Sequence, residues 1–200
     1  RRLNFPISNQ ESFYCSHLSD PLRMLKYLTY RYKFHLANTK RRVFDAPPYL
    51  LIEPVSACNL RCPMCFQSDK TFTRKPFMGI MKWNLFTRLI DEADELGIGA
   101  VTLASRGEPT MHPRYCEMLS YVSTKENIFE LKSNTNATFL NEKMCHQIFE
   151  SGVNTLVISA DHYEKDHYEE LRKNANFEKV VQNVAMLHNI REKHYPDSIT

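Results

Sequence analysis

No stretch of this 200-residue sequence reaches the roughly 18 consecutive apolar residues of a membrane span, so a bilayer-embedded body is not expected. No secretory signal pattern stands at its start. A disulfide framework, which needs an oxidising compartment, is therefore not expected either. Charge of one sign is also missing: 26 Lys and Arg face 23 Asp and Glu, and no nucleic-acid partner is expected from that balance. The charge is uneven, however. Residues 1–48 hold nine basic and three acidic side chains (+6), and the remainder holds seventeen and twenty (−3).

Paired cysteines are scarce. Cys15, Cys116 and Cys145 stand alone and far apart, so no second pair is at hand to complete a structural zinc site. What is present is the run CNLRCPMCF, with Cys58, Cys62 and Cys65 spaced C-x3-C-x2-C. Three thiols on one short loop can hold three corners of one cluster, whereas a closed iron–sulfur site takes four. The spacing alone leaves three readings open: a cluster with one iron free for a non-protein ligand, a zinc site, or redox thiols.

The length suits one domain, and 42% hydrophobic residues can furnish its core. Residues 1–46 read as a basic helical N-terminal extension and 47–200 as an α/β core, with Pro47-Pro48 marking the boundary. From Pro21 to Arg42 the sequence is basic and aromatic, and Leu22, Leu25, Leu28, Tyr32 and Leu36 recur at helical spacing. The expected helix packs on the core and leaves Lys26, Arg31, Lys33, Lys40, Arg41 and Arg42 solvated. Contact with a membrane surface or a polyanion is the alternative.

Beyond the boundary, strands are expected at Tyr49–Val55, Ala100–Ala104, Ile128–Lys132 and Val153–Ser159. Helices are expected at about Lys82–Leu96, ended by Gly97, at Pro113–Thr124, from Asn141 to near Gly152, and from Asn176 onward. Repeated βα units mean a parallel sheet, either a barrel or an open α/β sheet. The chain opens at Arg1 without a methionine and stops at Ser198-Ile199-Thr200, where a strand would be starting; it is expected to be part of a longer polypeptide.

In parallel α/β folds, ligands gather at the C-terminal ends of the strands. Each unusual motif falls at such an end: the cysteine loop after the first strand, Ser105 to Thr110 after the second, Asn134-Thr135-Asn136 after the third, Ser159-Ala160-Asp161 after the fourth. His112 and His162 lie near the same ends, where solvated loop histidines are common. Cys116 and Cys145 fall on helical stretches and read as small buried apolar residues.

The cysteine spacing, Gly107-Glu108-Pro109, the S-x-D…R pattern of Ser159, Asp161 and Arg172, and the N-F-E-K-V segment from Asn176 together resemble the radical S-adenosylmethionine (radical SAM) superfamily. The resemblance implies a partial (β/α)6 barrel, of which this chain supplies about four units. It implies a [4Fe–4S] cluster on Cys58, Cys62 and Cys65 whose open iron chelates S-adenosylmethionine. Gly107 and Glu108 would serve the ligand's ammonium, with Arg106 standing where the family has a first glycine. Ser159 and Arg172 would serve its carboxylate, and Asn134 its ribose or carboxylate. Met64 would pack on adenine where relatives often place an aromatic. Thr135-Asn136-Ala137 is similar to a T-N-G turn that shapes the loop.

The implied reaction is reductive cleavage of S-adenosylmethionine to a 5′-deoxyadenosyl radical, which abstracts hydrogen from a peptide, protein or small-metabolite substrate. A flavodoxin- or ferredoxin-like electron donor and a cytoplasmic setting go with it. The segments look most like members with a C-terminal cysteine-rich (SPASM or twitch) extension carrying auxiliary clusters beyond Thr200. A non-catalytic iron–sulfur or zinc scaffold that recruits partners is the competing reading.

Overall fold

The computed structural model describes residues 20–198 and residue 200; residues 1–19 of the N-terminal extension, Cys15 among them, lie outside the described residues. Four strands, β1 (Tyr49–Ile52), β2 (Ala100–Leu103), β3 (Glu130–Thr135) and β4 (Thr155–Ile158), form one sheet in the order β1-β2-β3-β4. All three pairings are parallel, with Leu51 beside Thr102, Thr102 beside Lys132 and Lys132 beside Thr155. Each strand lies next to its successor. That is the winding of a barrel arc, since a doubly wound sheet reverses its order. The fold is α/β, four units of a partial barrel.

The first helix among the described residues, α1 (Pro21–Lys40), precedes the sheet. Helices α2 (Trp83–Glu95), α3 (Tyr115–Ser123), α4 (Glu142–Glu150) and α6 (Phe177–His194) follow the successive strands, with the short α5 (Lys165–Leu171) inserted before α6. Their apolar stripes (Phe86 and Ile90, Met118 and Leu119, Cys145 and Ile148, Val180 and Ile190) bury against Ile52, Val101, Leu103 and Leu131 in one core. The helix boundaries follow local chemistry. Asn141 and Asn176 accept from Met144 N–H and Lys179 N–H, capping α4 and α6. Gly97, at φ 69°, takes the left-handed turn just after α2.

The sheet's two faces differ. Ser133 turns toward the helices, where its hydroxyl accepts from Tyr115 at 2.9 Å. By strand alternation Lys132 and Asn134 face the opposite, inner side of the arc. That polar inner face is why β3 sits later in the chain than its apolar residues suggest: it runs Glu130–Thr135, not Ile128–Lys132, so Asn134 and Thr135 belong to the strand itself. Similarly, β1 ends at Ile52 rather than Val55, before Pro54, which has no N–H for a ladder.

The N-terminal helix packs on the core as expected, through its tyrosines, but Arg31 is not left solvated. Tyr27 and Tyr30 are buried against Phe129 and Ala100, with Phe34 alongside. Their hydroxyls donate to the Glu130 carboxylate at 2.9 and 2.8 Å, and Arg31 pairs with the same carboxylate at 3.2 Å. Gly99 makes the approach possible, since a Cβ there would lie 2.1 Å from Tyr30 Cγ. The leucine row points outward instead: Leu22, Leu25, Leu28 and Tyr32 are 64%, 61%, 50% and 64% exposed.

Candidate functional site

The cysteine loop is held by its two ends. After β1, Met81 N–H donates to Pro54 O at 2.8 Å, Ser56 N–H donates to Gly79 O at 3.1 Å, and Val55 bridges to Ile80. Within the loop, buried Leu60 anchors the chain and Arg61 N–H donates to Lys173 O at 3.0 Å, tying the loop to the segment after α5. Cys65 N–H donates to Cys62 O at 3.0 Å and opens a 3-10 turn at Phe66–Ser68. Cys58, Cys62 and Cys65 are free thiols, each partly buried. Burial pushes the Cys58 and Cys62 thiols up; the Arg172 cation opposes that at Cys62. As bare groups these two are neutral thiols, and a bound metal is what converts such ligands to thiolates.

The loop after β2 presses against this one. Gly107 passes so close to the cysteine loop that a Cβ would lie 1.8 Å from Val55 O, so only glycine fits. Ser105, at φ 116°, takes a backbone conformation that side-chain-bearing residues rarely adopt. Arg106 is fixed by Glu53: its N–H, Nε and Nη2 all donate to that carboxylate, at 2.9, 2.8 and 2.7 Å. Burial works against ionising Glu53, but the Arg106 bonds prevail and hold the carboxyl below the usual range. Gln67, buried, donates to Ser56 O at 2.7 Å and also to Arg106 O, joining the two loops.

Glu108 is 3% exposed. Its Oε1 accepts from Thr110 N–H at 3.2 Å, the Thr110 hydroxyl at 2.5 Å and the Thr135 hydroxyl at 2.6 Å; Oε2 accepts from Asn136 N–H at 2.7 Å. The carboxylate thus staples the β2 loop to the end of β3. Asn136 continues the network, donating to Asn59 Oδ1 at 3.0 Å and lying 3.8 Å from Cys58 Sγ. Ala137, at φ 61°, occupies the turn position that a T-N-G sequence would give to glycine. At the end of β4, Ser159 N–H donates to Thr135 O at 2.8 Å. Arg172 pairs with Asp161 at 2.7 Å, and Glu169 accepts from Phe177 N–H at 2.9 Å.

All nine residues singled out from the sequence line one cavity of about 250 Å³ at the C-terminal ends of the strands: Cys58, Cys62, Met64, Cys65, Gly107, Glu108, Asn134, Ser159 and Arg172. Two of them carry buried polar atoms without a partner, Asn134 Oδ1 and Arg172 Nε, one acceptor and one donor. Such orphans are rare in a folded protein and suit a ligand with both donor and acceptor groups. Sequence reasoning missed Glu53 and Gln67, which touch the site only through Arg106 and the loop backbones. A larger cavity of about 420 Å³ lies toward the other end of the sheet, beside Tyr30, Ala100 and Glu130, and none of the nine lines it.

The histidines fall outside this chemistry. His112 is buried, with Nε2 3.0 Å from Met81 O and Nδ1 accepting from Arg114 N–H. His162 accepts from Glu164 N–H and stacks on Tyr163. Cys116 and Cys145 lie on α3 and α4 away from the cavity, and burial pushes both thiols up to about 11.

Residues 52–194 match the family model of the Radical SAM superfamily. The chain is 35% identical over 114 residues to the tungsten-containing aldehyde ferredoxin oxidoreductase cofactor-modifying protein of Pyrococcus furiosus, covering 56% of this chain and 30% of that one. It is 24% identical over 141 residues to the GTP 3',8-cyclase of Lactiplantibacillus plantarum, covering 69% and 41%. In fold it is similar to Streptococcus suis SuiB bound to its precursor peptide SuiA, with a TM-score of 0.62 at 20% identity over 86% of this chain and 37% of that one. The chain spans well under half the length of these proteins.

Proposed function

The chain belongs to the radical SAM superfamily, and on that premise we propose that Cys58, Cys62 and Cys65 hold a [4Fe–4S] cluster with S-adenosylmethionine in the cavity beside it. The residues fit the pair: three thiols free of disulfides on a loop tied at both ends, and an orphaned acceptor and donor facing the cavity that those thiols line. Bound there and reduced, the cluster would supply the electron for reductive cleavage of S-adenosylmethionine, the source of a radical able to take hydrogen from a substrate C–H bond.

The protein's own part is positioning. Gly107 brings backbone against the ligand's ammonium. Asn134 Oδ1 accepts from the ammonium or a ribose hydroxyl. Ser159 and the free Nε of Arg172 donate to the carboxylate while Asp161 keeps the guanidinium in place. Met64, 57% exposed at the cavity rim, packs on adenine. Glu108 holds the two loops in register, and its carboxylate is already engaged by Thr110, Thr135 and Asn136.

In the same reading residues 47–200 are the N-terminal part of the core, residues 1–46 an extension, and the remaining barrel units and a cysteine-rich extension lie past Thr200. A flavodoxin- or ferredoxin-like protein donates the electron in a reducing cytoplasm. We favour a small-molecule substrate, because the two curated relatives are named for a cofactor and for GTP. A peptide is the second reading, favoured by the SuiB neighbour with its precursor peptide.

The observation that carries the proposal is the convergence of the nine residues on one cavity. Anaerobic reconstitution of the complete protein should give about four irons per chain. Reductant should then release 5′-deoxyadenosine and methionine from S-adenosylmethionine, and replacing all three cysteines by Ala should abolish both. Stoichiometric zinc without iron would favour the scaffold reading and end this one.

A further inference from the structure

We propose that α1 seats the protein on an anionic lipid surface through its outward leucine face. On a helix of 3.6 residues per turn, Leu22, Leu25, Leu28, Tyr32 and Leu36 fall within about 60° of one line. Tyr27, Tyr30 and Phe34, which pack on the sheet, fall on the opposite side. The outer face is apolar along its length. Leu22, Leu25, Leu28 and Tyr32 are each at least half exposed. The two threonines on this face, Thr29 and Thr39, turn their hydroxyls back to Leu25 O at 2.8 Å and His35 O at 2.7 Å, which satisfies the polar group and leaves the methyl as the outward surface. An exposed row of this kind marks an interaction surface.

Charge identifies the occupant. From Pro21 to Lys40 the helix carries Arg23, Lys26, Arg31, Lys33 and Lys40 with no acidic residue, and Arg41 and Arg42 follow. Arg31 is committed to Glu130, and Lys26 to Asn127. Lys33, Lys40 and Arg41 form no ion pair among the described residues. Lys26, Lys33 and Lys40 recur every seventh residue along one flank of the leucine row. An apolar face edged by lysines is the arrangement of a helix lying in the headgroup region, where aliphatic stems and a tyrosine sit at the interface and the ammonium groups meet lipid phosphate. A second copy seated on the same face would bring two such cationic flanks together without a carboxylate between them. The opposite face rests against Ala100 and Glu130, the first residues of β2 and β3, whereas the cavity lies at the other ends of the strands. Docking through α1 therefore leaves the cavity open.

The test is co-sedimentation of the complete protein with vesicles of phosphatidylcholine alone and with about 30% phosphatidylglycerol. Binding is expected to the anionic vesicles only and to fall steeply with added salt. Leu22→Ser/Leu25→Ser/Leu28→Ser should weaken it by more than about tenfold. Lys33→Glu/Lys40→Glu/Arg41→Glu should do the same, and neither set should change the circular dichroism spectrum. A Leu25→Trp variant gives an independent reading, since its emission should shift to the blue with anionic vesicles. Wild-type protein left in the supernatant, serine variants that bind like wild type, or an unshifted Leu25→Trp emission would each overturn the proposal. So would a dimer in light scattering that the serine substitutions dissolve, which would assign the face to self-association.

Discussion

Removing the Glu108 carboxylate tests whether the site is built before any ligand arrives. In Glu108→Ala the backbone N–H groups of Thr110 and Asn136 lose their buried acceptor, and the Thr135 hydroxyl loses the acceptor of its proton. Each stranded backbone donor costs about 1–3 kcal/mol, and the small void adds to that, so the loss should be on the order of 3–5 kcal/mol. Glu108→Gln keeps the volume but turns one oxygen into an N–H donor facing donors, and should cost about 1.5–3 kcal/mol. Urea unfolding of the cofactor-free protein reads this directly: with an m-value of about 2 kcal/mol per M, the Ala variant's midpoint should fall by roughly 2 M. Glu117→Gln, which removes only an exposed pairing with Arg114, should leave the midpoint in place. If Glu108→Ala unfolds within about 1 kcal/mol of wild type, the staple is not structural and Glu108 acts only on a bound ligand.

Three further outcomes follow. Gly107→Ala forces a methyl against Val55 O and should destabilise by more than about 2 kcal/mol, read by the same unfolding curves. Because Arg106 holds the Glu53 carboxyl below its ordinary range, that pair adds stability above about pH 4.3 that is lost as pH falls through the depressed folded value. Arg106→Gly should flatten the acid limb of the stability–pH curve, by less than about 1 kcal/mol for this part-exposed pair; an unchanged limb would show that the pair contributes nothing. Cys116 and Cys145, pushed up to about 11, should resist iodoacetamide near pH 8 in mass-mapped alkylation, and Cys116→Ser should leave the iron content unchanged.

The parts of this fold that were legible in the sequence are those where one residue type has one physical use. Asn141 and Asn176 cap helices, Gly97 turns left-handed after α2, and three cysteines within eight residues mark their own loop. Because parallel strands deliver their motifs to one end, residues more than a hundred positions apart, such as Cys58 and Arg172, were readable as neighbours. Three features were hidden. Helix α1 is apolar on opposite faces, so periodicity marks the leucine row and cannot say that the tyrosines win the core. They win because Glu130, about a hundred residues away, supplies an acceptor to both hydroxyls. The register of β3 was hidden because its inner residues are Glu130, Lys132 and Asn134, which do not look like a buried strand. Glu53 and Gln67 gave no local signal, since their partners are the side chain and backbone of a loop far along the chain.

The central claim is that S-adenosylmethionine ligates the open iron of a cluster held by Cys58, Cys62 and Cys65. Electron–nuclear double resonance on the reduced, reconstituted protein, with S-adenosylmethionine carrying ¹⁵N in its amino group and ¹⁷O in its carboxylate, measures that contact directly. Hyperfine coupling from both labels to the cluster spin, diminished by Ser159→Ala with Arg172→Ala, is the result expected. A cluster signal with no coupling from either label would contradict it.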